Sequence, residues 1–188
     1  MYSVDTRRKV EGAVFLVAFA CTIPLANWLI GNVGTVCVPD GPCLIPVAPG
    51  ILAPSGVLAI GAALVLRDLV QRRLGLIWSF AAIAIGAVLS IFLAPPALVL
   101  ASTVAFALSE TADLLVYTPL QRRGLLLAAT ASSVVGLVID SVVFLALAFG
   151  SLDLVSGQVL GKFWMVLLAL PVLAWIRSYD RRAGMVPA

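Results

Sequence analysis

Residues 74–117 read LGLIWSFAAIAIGAVLSIFLAPPALVLASTVAFALSETADLLVY, and this stretch decides the fold class. Two apolar runs, 74–93 and 96–117, are parted only by Ala94-Pro95-Pro96. Each is close to the roughly 20 residues that cross the hydrocarbon core of a bilayer. Neither proline continues the preceding helix, so the stretch reads as a tight helical hairpin in a membrane.

Four further apolar segments lie outside it, at 11–31, 47–66, 124–149 and 158–176. The segment 47–66 is interrupted at its start by Pro49, Pro54 and Gly56, so 47–56 reads as a re-entrant or irregular lead-in. The expectation is an all-α integral membrane protein, six transmembrane helices in one domain over 1–188. Composition agrees. The 188 residues are 62% hydrophobic and 11% charged, with mean hydropathy +1.14, whereas soluble domains run near half apolar and a quarter charged. No single soluble core hides that much apolar side chain, so the surplus faces lipid.

Charge placement gives orientation. Eleven of the twelve Lys and Arg fall on one side: Arg7, Arg8 and Lys9; Arg67, Arg72 and Arg73; Arg122 and Arg123; Arg177, Arg181 and Arg182. By the positive-inside rule both termini are cytoplasmic. The same clustering makes the pI near 9.0 a topology signal rather than a nucleic-acid footprint. The basic residues before the first helix also fit a signal peptide, but the apolar run is long and lacks a small-residue cleavage site. With no histidine in the chain, Ser-His triads, HExxH metalloproteases and His-based metal sites are excluded. No Walker motif, GxGD element or standard zinc spacing appears, so neither an enzyme nor a resident metal or cofactor is expected. The outer loop 31–43 carries Cys37 and Cys43, which either form a disulfide or pack as free thiols; Cys21 reads as a small apolar filler.

Charges within membrane segments are costly and by default mark function. Glu110 and Asp113 lie in the fourth segment, Asp140 in the fifth, and Lys162 opens the sixth. At 3.6 residues per turn, Ser102, Phe106, Ser109, Glu110, Asp113 and Tyr117 share one arc of the fourth helix. Ser133, Gly136 and Asp140 share a face of the fifth, and Gln158 and Lys162 stand one turn apart. Counting depth along the helices puts Glu110 at the floor of an outward-open cavity, with Asp140, Gln158 and Lys162 higher in its wall. Arg67 and Asp113 read either as a structural ion pair or as an inner gate, and Lys162 with Asp140 as an ion pair or a binding pair. A wall holding both an ammonium and carboxylates suits a planar heterocycle with donor and acceptor edges, stacked on Phe106, Phe144, Trp28 or Trp164.

AFALSETADLLVY (105–117), LRDLVQ (66–71), Ser133-x-x-Gly136-x-x-x-Asp140-Ser141 and Gly157-Gln158-x-x-Gly161-Lys162 together resemble the queuosine precursor transporter family, also called the VUT or DUF165 family. The resemblance covers the chain beyond residue 50. It implies a six-helix bacterial inner-membrane protein, related to the substrate-binding S components of energy-coupling-factor importers. It further implies import of 7-cyano- or 7-aminomethyl-7-deazaguanine. Carried onto this chain, Glu110, Asp140, Gln158 and Lys162 become substrate-binding candidates, with Ser109 and Asp113 secondary. The expected partners are a purine-like small molecule, the lipid bilayer and, for so small a carrier, a second copy in a homodimer; no nucleic acid is expected. The alternative is an S component for another vitamin, docking an ATP-driven module through the Ala18, Thr22, Ala26 stripe of the first helix.

Overall fold

The structure, a computed structural model, describes residues 4–39 and 41–185. Six helices dominate: α1 (Val4–Asn32), α2 (Val57–Leu74), α3 (Leu76–Leu93), α4 (Val99–Leu120), α5 (Leu125–Phe149) and α6 (Val155–Ala183). Five of them, all except α2, are long and apolar enough to cross a membrane. Their outer surfaces carry large apolar side chains, among them Ile77 (82% exposed), Phe92 (79%) and Trp175 (67%). A soluble protein does not present such a continuous apolar surface, and lipid is the solvent it fits. The chain is a multi-pass, predominantly helical membrane protein.

Two expectations require correction. The segment 47–66 is not one helix with an irregular lead-in, and the chain is not purely α. Val36–Cys37 (β1), Cys43–Ala48 (β2) and Ile51–Pro54 (β3) form a small antiparallel sheet in the order β1-β2-β3. The prolines that weaken a helical reading are what build the hairpin. Pro49 and Gly50 occupy the turn between Ala48 and Ile51, and Gly50 adopts φ +73°, as the second central residue of a type II turn requires. Cys37 and Cys43 are joined by a disulfide that closes the β1–β2 loop; Asp40 of that loop lies outside the described residues.

The helix itself begins at Val57 and runs on through Arg67, Asp68, Gln71, Arg72 and Arg73, all of them buried. These residues do not form a cytoplasmic loop. Helix α2 contacts α1, α3, α4, α5 and α6, so it is the central helix, and its charged half is sheltered by the apolar ones. The other ends also move: α1 and α6 extend beyond 11–31 and 158–176, and a 3-10 turn at Pro96–Leu98 precedes α4. Because lipid tails are as apolar as leucine, packing between such helices depends on small residues and polar contacts. Gly61 illustrates the point: a Cβ there would stand 2.7 Å from the Lys162 carbonyl oxygen, so the glycine lets α2 and α6 touch backbone to backbone.

Candidate substrate cavity and buried charge clusters

A cavity with about 70 Å³ of water-accessible space lies beneath the sheet, between α1, α3, α4, α5, α6 and the start of α2. That is below the range of about 300–1,000 Å³ usual for small-molecule sites, so a purine-sized ligand requires the surrounding helices to part. Of the residues expected in a site, Asp140, Gln158, Lys162 and Phe106 line it. Ser109, Glu110 and Asp113 do not.

The polar wall is built around one ammonium. Lys162 Nζ donates to Asp140 Oδ2 at 2.6 Å, Gln158 Oε1 at 2.5 Å and Ser141 Oγ at 2.9 Å. Three donors meet three acceptors, and the lysine is 1% exposed. An ammonium has no acceptor lone pair, so Gln158 must turn its carbonyl oxygen to Lys162, leaving its amide N–H groups for the cavity. Asp140 keeps 7% exposure; Ser109 Oγ stands 3.5 Å from its other oxygen and 3.1 Å from the Phe106 carbonyl, the nearer acceptor for its one hydrogen. Ser109 therefore borders the site at Asp140.

The apolar wall holds Phe106 and Phe144. Phe106 sits in a notch opposite Gly86, where a Cβ would come within 2.3 Å of the ring, and it packs on Phe19 with ring centroids 6.0 Å apart. Trp28 and Trp164 are exposed and line no part of the cavity; Trp164 donates its indole N–H to the Val47 carbonyl at 3.0 Å. Asn27, Ser90 and Ser102 add polar groups from α1, α3 and α4. The lone Asn27 within a lipid-length helix was the available signal for α1.

Glu110 is not the floor of this cavity, because it is committed to an arginine. Arg67 Nε donates to Glu110 Oε2 at 3.3 Å, Nη1 to Gln71 Oε1 at 3.2 Å, and Nη2 meets both Asp113 Oδ1 and, at 2.8 Å, Asp68 Oδ1. Asp68 accepts from Ser132 Oγ at 3.0 Å, and Gln71 donates to Thr118 Oγ at 3.0 Å. All four charged groups are at most 1% exposed. The cluster ties α2 to α4 and α5 below the cavity.

A third cluster lies at the far end of α2. Asp180 of α6 receives Arg72 at 2.6 Å and Arg73 at 2.8 Å, and Arg73 also reaches Glu11 of α1 at 2.8 Å. Arg72 and Arg73 are thus more than orientation signals. Asp180 escaped the sequence reading because α6 was ended at residue 176.

A family model described as "Putative vitamin uptake transporter" matches residues 54–176, more than half of the chain. No curated protein and no solved structure gives a significant match. The matched span contains α2 through most of α6, and with them every charged residue of the cavity and of the Arg67 cluster. The chain belongs to the vitamin uptake transporter family.

Proposed function

We propose that this transporter imports queuosine precursors, 7-cyano- or 7-aminomethyl-7-deazaguanine, through the cavity beneath the sheet. The observation that carries the reading is that Asp140 and Gln158 line one cavity together with the rings of Phe106 and Phe144. A guanine-like ring offers a ring N–H and an exocyclic amine to a carboxylate, and a carbonyl to an amide N–H. Its flat face suits phenyl walls. Lys162 serves by holding Asp140 and Gln158 in place. Ser109 borders Asp140 from the neighbouring helix. Arg67, Glu110 and Asp113 close the bundle below the cavity as the inner gate.

The same reading makes all six helices part of the spanning unit, α2 threading the ring of the other five. The arginine-rich ends and both termini face the cytoplasm of a bacterial cell, and the sheet with its disulfide faces outward, as charge placement and oxidising chemistry both favour. The protein acts on its substrate by binding and release without catalysis, alone or as a homodimer.

The S-component alternative asks α1 to offer its small-residue stripe to an ATP-driven partner. Thr22 and Ala26 of that stripe are buried, and Ala26 lies against Gly56 inside the bundle. We therefore favour a self-sufficient carrier. Uptake of labelled 7-cyano-7-deazaguanine into cells lacking their own importer, with and without an energy-coupling module, tests both points. Uptake without the module supports the proposal; uptake only of an unrelated vitamin, or only with the module, removes it.

A further inference from the structure

The two buried clusters differ in charge balance. Around the cavity, Lys162 is matched by Asp140. Below it, the single guanidinium of Arg67 faces three carboxylates, Asp68, Glu110 and Asp113. The charged groups on the surrounding helices offer no relief. Lys162 on α6 is held by Asp140, Arg72 and Arg73 by Asp180, and Arg73 also by Glu11 of α1. Helix α3 carries no charged residue. From α4 and α5 the other groups are Tyr117, Thr118 and Ser132, which are neutral. If all three acids were ionised, two negative charges would stand uncompensated in a dry interior, which proteins avoid by neutralising the group.

Hydrogen bonding points to where the neutralisation occurs. Asp113 Oδ2 is fully buried and has no hydrogen-bond donor, and Asp68 Oδ1 has only the Arg67 nitrogen that it shares with the other Asp113 oxygen. Tyr117, also fully buried, has an unpartnered hydroxyl and carries its ring 5.7 Å from the Arg67 guanidinium carbon. Orphan buried acceptors are costly, and a carboxylic O–H is the donor they lack. A metal ion suits the place poorly. It would need several oxygens around it at about 2.3–2.6 Å, and the guanidinium already occupies the position between the two carboxylates.

We infer that the Asp68–Asp113 pair is a proton-binding site whose occupancy couples substrate import to the proton gradient. One of the three acids stays neutral throughout; a second proton, taken from the outer medium, adds to the pair, and its release to the cytoplasm restores the anion, so one proton enters with each substrate. Coupling to the cavity runs through α4, where Ser109 lies beside Asp140 and the next residue, Glu110, holds Arg67. The inference rests on the proposed transport function for its coupling half, and on the cluster alone for its proton.

Two measurements test these halves separately. Infrared spectroscopy of the ligand-free, full-length protein in lipid at neutral pH should show the carbonyl stretch of protonated, buried carboxylic acids, weakened in Asp68→Asn and in Asp113→Asn. If the wild-type band is absent, the proton site is wrong whatever the substrate is. In proteoliposomes with the membrane potential clamped to zero, an inside-alkaline gradient should drive accumulation of 7-cyano-7-deazaguanine by about tenfold per pH unit, as one coupled proton allows. Asp68→Asn, which fixes that carboxyl in its neutral form, should keep counterflow exchange and lose the response to the gradient. Exchange with no response to the gradient in wild type, or accumulation driven by sodium instead, overturns the coupling. Loss of exchange in wild type would count against the substrate, while the infrared result would still decide the proton site.

Discussion

Lys162 and Asp140 meet at 2.6 Å across the α5–α6 interface, and the same ammonium holds Ser141 and Gln158. With its hydrogens so occupied, Lys162 organises the cavity wall and leaves Asp140 and Gln158 as the groups that face a ligand. Lys162→Met strands a buried carboxylate, which costs about 3–5 kcal/mol. Thermal unfolding in detergent should show that loss. Adding Asp140→Asn to Lys162→Met should recover most of it without restoring substrate binding. A double variant no more stable than the single one would mean that the loss does not come from the stranded carboxylate.

Arg67 carries a heavier electrostatic load, because its removal strands three acids. Arg67→Gln should be among the most destabilising substitutions in the chain, exceeding about 3 kcal/mol. Neutralising one neighbour in the same chain, Arg67→Gln with Asp113→Asn, should return part of the stability. Unfolding midpoints of the two variants check this, and equal midpoints would contradict the picture of one cation serving several carboxylates.

Phe106 depends on Gly86 for its position. Gly86→Ala puts a methyl into the ring's place, and overpacking of this kind costs about 1–3 kcal/mol. The ring should be pushed toward the cavity and weaken 7-cyano-7-deazaguanine binding by about tenfold, measured on purified protein. Unchanged affinity would remove Phe106 from the binding wall.

How much of this was readable from the residues alone depends on what surrounds each one. The apolar spans were plain, because a lipid-facing helix must be apolar along most of its length, as Ile77 to Leu93 and Leu125 to Phe149 are. The polar stripe on α4 was equally plain, since Ser109, Glu110 and Asp113 sit on one arc. Central helix α2 was not. A charged half-helix such as Arg67 to Arg73 looks like a loop until the partners that bury it, Glu110, Asp113, Asp180 and Glu11, are placed around it, and those lie far away in sequence. The 43–54 hairpin was hidden for a related reason: an apolar run with prolines fits an irregular helix start as well as a pair of strands. Glu110 was assigned to the cavity because depth along a helix does not reveal which neighbour a side chain meets.

The disulfide gives a handle on orientation. Cys37 and Cys43 are six residues apart, and closing so short a loop is worth about 2 kcal/mol in the chain-entropy account. Reduction should lower the unfolding midpoint correspondingly. In intact cells, a membrane-impermeant maleimide should label Cys37 and Cys43 only after reduction. Labelling that requires cell lysis would place the sheet on the cytoplasmic side and reverse the proposed topology.

The most direct test of the central claim is equilibrium binding of 7-cyano-7-deazaguanine to the purified protein, with guanine and riboflavin as competitors. The cavity geometry predicts saturable binding that riboflavin does not displace. It also predicts affinity about tenfold to a hundredfold weaker in Asp140→Asn and in Gln158→Leu, the loss of a hydrogen bond made to or beside a charged group. Binding that both variants leave unchanged, or riboflavin binding where the deazaguanine shows none, would contradict it.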